Sequence, residues 1–151
     1  MEGLGHNDDR RAIEAIIERQ FGSLNWSPGR SADWQAFTAD FFPDASLYPA
    51  ARPVRRQTVA DFIERMKGLA GTKLRTFKER VLGSEIHIFR NVAVALAGCE
   101  ITENGAEVSR GVEALLLVKD EAVWHIVSQA WDTESETKPI PEYLGGGRDR
   151  T

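Results

Sequence analysis

Apolar residues at Ile13, Ile16, Ile17, Phe21 and Leu24 recur at three- and four-residue steps, which draws one stripe along a helix. Asp8 or Asp9 stands where that helix would be capped. The run NWSPGRS at residues 25–31 is turn chemistry and stops it. Ser31 can cap a second helix in which Trp34, Phe37 and Phe41 share a face, with Pro43 and Asp44 at its end. Residues 45–48 read as a short extended piece, followed by a loop stiffened by Pro49 and Pro53. Thr58, three residues before Asp61, predicts a capping box. Behind it, Val59, Phe62, Ile63, Met66 and Leu69 form the buried face of a third helix, and Gly71 stops it.

From about residue 74 the period shortens to two. EIHIF, NVAVALAGCEIT, VSRGVEALLLV and VWHIVSQAW are strand-type runs. They are joined by short links at Arg90-Asn91, Asn104-Gly105 and Asp120-Glu121, which predicts a four-stranded antiparallel meander. Helices first and strands afterwards argue for an α+β class, with three N-terminal helices packed on a curved, mostly antiparallel sheet. Two-residue links also set the register. Counted from them, Cys99 lies opposite Arg110 and Arg110 opposite Trp131. Alternation then places Ile86, Ile88, Ala95, Ala97, Cys99, Ile101, Arg110, Val112, Ala114, Leu116, His125, Val127, Gln129 and Trp131 on one face. His87, Phe89, Val94, Leu96, Glu100, Glu113, Leu115, Leu117, Trp124, Ile126 and Ser128 fall on the other. Helices can cover the first face. The apolar residues of the second predict a homodimer packed through the outer sheet face, unless strong curvature hides them within one subunit.

Composition narrows the class. At 151 residues, 42% hydrophobic and 28% charged, the chain has the make-up of one globular domain. The expected division is a single domain over 1–137 and a polar, Gly-rich flexible tail over 138–151. A net charge of −4 provides no global field for a phosphate backbone, so nucleic acid is not expected as a partner. No run approaches the length of a membrane span. The start MEGLGHNDDRRAIEAII lacks the basic region and apolar core of a signal peptide, and the single Cys99 fits a reducing compartment. The expected location is therefore cytoplasmic. Gly145, Gly146 and Gly147 lack the Lys-Ser/Thr of a phosphate loop, and no cofactor motif is read.

DFFPDASLY at the end of the second helix and WHIVSQAWDTE on the last strand resemble the nuclear transport factor 2-like superfamily over about residues 8–135. That cystatin-like cone also houses SnoaL-like polyketide cyclases, ketosteroid isomerase and scytalone dehydratase. The resemblance implies a pocket between the helices and the sheet, with a Trp near the end of the last strand lining it, and Trp131 matches. Phe21, Phe37, Phe41, Tyr48, Phe62 and Met66 would line it from the first half. The catalytic set of ketosteroid isomerase does not carry over. Its base would fall near Pro49, its oxyanion Asp near Val112 and its oxyanion Tyr at Gln20 or Phe21. Such a fold serves enzymes, binders and interaction modules alike.

The face holding Arg110, Val112, Gln129 and Trp131 is thus read as the interior one. Arg110 in an apolar cavity needs an anion, or a partner such as Asp132 or Glu103, or a stack on Trp131. Tyr48 can donate into the pocket or sit at its mouth, and Gln129 can orient a ligand carbonyl or bridge structure. His125 can act as acid or base, or lie at the surface near a turn. Arg52, Arg55 and Arg56 can hold an anion or line a solvated loop. His87, Glu100 and Glu113 share the outer face without converging on a metal, and Cys99 reads as an inert buried thiol. The preferred function is a small-molecule-binding protein with an apolar cavity and a polar spot at Arg110, Gln129 and Tyr48. Its expected ligand is a small apolar or acidic organic molecule, with Trp131, Val112, Phe41, Phe62 and Met66 lining the site. The alternatives are a cofactor-independent SnoaL-like cyclase, isomerase or dehydratase using Tyr48 and His125, or a dimeric interaction module with a filled cavity.

Overall fold

The computed structural model describes residues 2–147. Helix α1 spans Glu2–Ser23, α2 Trp34–Ala39 and α3 Val59–Ala70. Strand β1 is Phe41–Tyr48, β2 Phe77–Phe89, β3 Val92–Glu103, β4 Glu107–Asp120 and β5 Val123–Thr133, with a 3-10 turn at Glu142–Leu144. The sheet order is β1-β5-β4-β3-β2. Only β1 runs parallel to its neighbour, and the other four strands form the expected meander. The class is α+β.

Helix α1 starts at Glu2, earlier than Asp8, and Asp9 lies within it. Its carboxylate accepts from Trp124 Nε1 and Lys119 Nζ, each at 2.9 Å, and so ties the helix to the β4–β5 hairpin. The cap of α2 is Asp33, not Ser31, with its side chain accepting from the Ala36 N–H. That helix ends at Ala39, and Phe41 opens β1 opposite Ile126. The Phe37 and Phe41 rings still pack at 5.2 Å, so their contact survives the change of element. The capping box of α3 forms as expected, with Thr58 and Asp61 each accepting from the other's backbone N–H, and Gly71 caps its end.

The register departs from the count at two turns. Phe89 does face Val92 across Arg90-Asn91. At the next link, however, Glu103 pairs with Glu107, so the loop holds three residues rather than two. Asn104 and Gly105 both have positive φ there, which Asn and Gly tolerate. One extra residue in the loop turns all of β4 over. The last hairpin turns at Glu121-Ala122, with Asp120 opposite Val123, and a bulge follows at Leu116/Leu117. Glu113, Leu115 and Leu117 therefore face the core, while Arg110, Val112, Ala114 and Leu116 face away from it. Leu115, Leu117, Trp124 and Ile126, expected on the outer face, are all buried in the core. Val94 and Leu116, paired closely across β3 and β4, remain about half exposed on the outer face.

The segment after β5 folds back onto the sheet. Ile140 and Leu144 are 6% and 1% exposed, so the described residues 138–147 do not form a separate flexible tail; 148–151 lie outside the described residues. Leu144 rests on two glycines. A Cβ at Gly98 would stand 1.9 Å from the Leu144 carbonyl oxygen, and one at Gly83 2.9 Å from its carbonyl carbon. Glycine at these positions is what lets the chain approach the sheet so closely. No helix among the described residues is long and apolar enough to cross a membrane.

Leu144→Ala should lower the unfolding free energy by about 2–4 kcal/mol, and Gly98→Ala by about 1–3 kcal/mol. Urea denaturation checks both values. Wild-type stability in Gly98→Ala would show that the segment does not dock there.

Candidate functional site

Apolar side chains from the helices and the sheet converge on one space between the helices and the inner sheet face. Phe21 enters from α1 and Leu24 from the residue just after it, Phe37 from α2, Phe41 and Leu47 from β1, and Phe62 and Met66 from α3. Phe77, Ile101 and Trp131 close it from the sheet. Trp131 meets Phe62 edge-on, with ring centroids 5.7 Å apart. The free volume is about 150 Å³, room for roughly one six-membered ring.

Its floor is polar. Gln20 and Gln129 exchange two amide hydrogen bonds of 2.7 and 2.8 Å. The second N–H of Gln129 donates to Glu113 Oε1. That arrangement uses both amide hydrogens of Gln129 and fixes Glu113 as an acceptor. Glu79 enters from β2, and Cys99 stands between the two acids on β3. One ligand atom from each of Glu79, Cys99 and Glu113 lies within 4.8 Å of the others. Glu79 and Glu113 are only 6% and 7% exposed. Among the described residues, no Lys or Arg forms an ion pair with either.

A carboxyl buried without a cation holds its proton. Burial raises Glu113 to about 7, against the opposing pull of the Gln129 hydrogen bond. Burial also raises Glu79 well above the carboxylate range; the charge of Glu113 adds to this, and a hydrogen bond with Cys99 opposes it. The Cys99 thiol is pushed far up by burial and then by both acids, so it stays protonated and unreactive. The floor therefore offers a Glu79 carboxyl that keeps its proton and a Glu113 carboxyl raised toward neutrality. The trio has donor atoms of the right kinds for a metal, but two of the three hold their protons firmly. It is a hydrogen-bonded acid cluster rather than a preformed cation site.

No protein-family model and no curated protein matches the chain. Solved structures do match. A hexachlorocyclohexane dehydrochlorinase of LinA type 3 from Novosphingobium barchaimii aligns with a TM-score of 0.73 at 9% identity, over 88% of this chain and 91% of that one. A candidate scytalone dehydratase from Novosphingobium aromaticivorans aligns at 0.69 and 15%, over 86% and 87%. An NTF2-like protein of unknown function from Pseudomonas putida aligns at 0.68 and 12%, over 89% and 94%. The chain has the nuclear transport factor 2-like fold. At these identities the likeness is one of architecture.

Within this nuclear transport factor 2-like fold, Trp131, Gln129, Phe41, Phe62 and Met66 line the cavity. Arg110 and Val112 do not, because β4 is turned over. Arg110 is buried on the outer face, where its guanidinium pairs with Glu100 at 2.9 Å. Glu100 also pairs with Arg80 at 2.9 Å. Burial pushes the Glu100 carboxyl up, but the hydrogen bonds from Arg110 and Arg80 outweigh it and hold the group below its ordinary value. Tyr48 alternates with the inward Leu47 and pairs with the exposed Ala130, so it lies outside the cavity. His125 stacks on Phe42 at 4.7 Å, and its buried Nδ1 has no partner among the described residues. His87 is at the surface beside Glu85.

Glu79 and Arg65 carry no signal in the sequence reading, Gln20 enters it only as a mismatch, and Glu113, expected on the outer face with His87 and Glu100, faces the core instead. Glu113 is the instructive case. The acid that the comparison at Val112 lacks stands one residue further along and faces inward. It shares parity with Leu115 and Leu117, and a polar residue in step with two core leucines was the available signal.

The raised carboxyls make stability depend on pH. The folded protein holds protons that the unfolded chain releases near the ordinary Glu value of about 4.3. Their stabilising effect is complete below that value; the share of Glu113 is lost as pH rises through about 7, and that of Glu79 as pH rises through its own raised value. Urea midpoints should therefore fall from pH 5 to pH 8. Glu113→Gln should flatten the profile and exceed wild type at pH 8. A wild-type profile that does not fall over this range would contradict the uncompensated burial of the pair.

Proposed function

We propose that the cavity binds a small, largely apolar ring compound and that the Glu79–Glu113 pair exchanges a proton with it. The observation that carries this reading is a pair of buried carboxyls, without a cation, against an apolar space of ring size. A purely structural core gains nothing from two such acids, since burying them costs stability. In the site their environments separate two roles. Glu79 keeps its proton and donates a hydrogen bond to a ligand carbonyl or hydroxyl. Glu113, poised near neutrality, accepts a proton from the neighbouring carbon and can return it elsewhere on the ligand. That is the chemistry of a cofactor-independent isomerisation, cyclisation or dehydration. The part of the ligand that meets the floor is neutral, because a carboxylate there would face Glu113. This replaces the expected anion at Arg110 and the roles of Tyr48 and His125.

Cyclic ketones in D2O test the reading directly. Wild type should bind cyclohexanone-sized ketones and accelerate deuterium uptake at the carbon beside the carbonyl, with a rate rising through about pH 7. Glu113→Gln should keep binding and lose about a hundredfold or more of the exchange rate. Exchange that persists in Glu113→Gln, or no ring compound bound at all, would refute it.

The exposed Val94–Leu116 pair supports a second reading, a homodimer through the outer sheet face. A groove of about 430 Å³ runs over this patch, with Leu96, Ala114 and Ala130 beside the pair. A self-complementary apolar patch of this kind suits a twofold contact. In sedimentation, wild type should run as a dimer and Leu116→Glu as a monomer of 16.8 kDa. A monomeric wild type would end this reading.

A further inference from the structure

The apolar stripe of α3 is interrupted in one place. Phe62 and Met66 face the cavity one turn apart, and Arg65, three residues after Phe62, lines it with them. An exposed Arg on a helix is free to turn toward water. This one contributes to the wall of the cavity, and it is the single cation among the lining residues. Arg19, Arg80 and Arg110 are each committed to a carboxylate. Arg65 forms no ion pair among the described residues.

Burial fixes the direction of the resulting field. Glu79 and Glu113 are buried at the floor, whereas Arg65 is exposed and so marks the mouth. A ligand meets an acid pair at one end and a guanidinium at the other. Resting on the reading proposed above, we infer that Arg65 makes the site selective for ring compounds with a neutral hydroxyl or carbonyl at one end and a carboxylate at the other.

Two physical terms support this selection. The floor repels a carboxylate, so an anionic ligand enters only with its neutral end first. Arg65 then meets the trailing carboxylate with a planar fork of donors that can engage both oxygens. The volume of about 150 Å³ holds the ring, and a short tether carries the charge to the rim. Arg65 is thus a specificity-determining residue that sets orientation. It takes no part in moving the proton.

The test uses three probes: phenol, 3-(4-hydroxyphenyl)propionate and the primary amide of that acid. Binding is measured by calorimetry at low salt and in 1 M NaCl, for wild type and Arg65→Gln. In wild type the acid should bind roughly fivefold tighter than the amide, as suits a solvent-exposed ion pair. High salt should erase the difference. Arg65→Gln should erase it too, while leaving phenol and the amide unchanged, which also shows that the variant is folded. Equal affinities for acid and amide in wild type, or a preference that survives Arg65→Gln, would overturn the inference while the cavity reading stands. Failure of phenol and the amide to bind would remove the cavity reading and this inference together.

Discussion

The loop at Asn104 decides which face of β4 looks into the core. Its side-chain oxygen accepts from the backbone N–H groups of Arg75 and Thr76 at 2.8 and 3.1 Å, and its side-chain nitrogen donates to the Lys73 carbonyl at 3.1 Å. These bonds anchor the β3–β4 turn to the chain entering β2. They hold three residues, not two, between Glu103 and Glu107. Because strand side chains alternate, that single residue determines whether Arg110 or Glu113 enters the cavity. The side chain that β4 contributes to the floor follows from it.

The two outcomes are energetically very different. With β4 as it stands, Arg110 leaves the core and finds Glu100, directly opposite it on β3. A second arginine, Arg80, completes a three-member ion network on the outer face. Such a network satisfies its charges, and Arg110 is buried there without an uncompensated cost. Turned the other way, Arg110 would occupy the apolar space, and Glu100 would keep only Arg80 as a partner. The face of β4 that carries charge outward is thus the face with a matching acid. Glu113 is left on the inner face, where the amide of Gln129 meets it instead of a cation.

This division explains what could be read from the sequence. Helix periodicity, the capping box at Thr58 and the period-two runs after residue 74 are local signals, and they yielded three helices, five strands and the meander. The core leucines and aromatics of the first half were legible for the same reason, and so were Gln129 and Trp131 on β5. The site floor was not. Asn104-Gly105 reads as a two-residue hairpin, and the bonds that enlarge it come from residues about thirty positions away. The bulge at Leu116/Leu117 leaves no mark in composition either. One displaced turn exchanged Arg110 for Glu113 and moved Leu115 and Leu117 from outside to inside. The C-terminal segment was misread in a similar way. Its glycines look like those of a linker, but Gly145 lies against Leu82 and Gly146 against the Ile140 carbonyl, so they serve close approach rather than flexibility.

What remains is why a domain of this size keeps two unpaired acids in its core. A Leu or Met at either position would remove a desolvation cost and close a small cavity, and both changes favour the folded state. The acids are instead supported. Gln20 and Gln129 bond each other through both amides, which aims the second N–H of Gln129 at Glu113. The Asn25 side chain accepts from the Glu79 backbone N–H at 2.7 Å and so fixes the strand that carries the second acid. Local arrangements that cost stability, yet are held in place by several neighbours, are the physical mark of a working site. Here the cost falls on a part of the core that also retains open space, with a guanidinium at its rim that forms no ion pair among the described residues. Packing alone does not account for these features together, and they are the features on which the proposed binding of a small polar-ended ring rests.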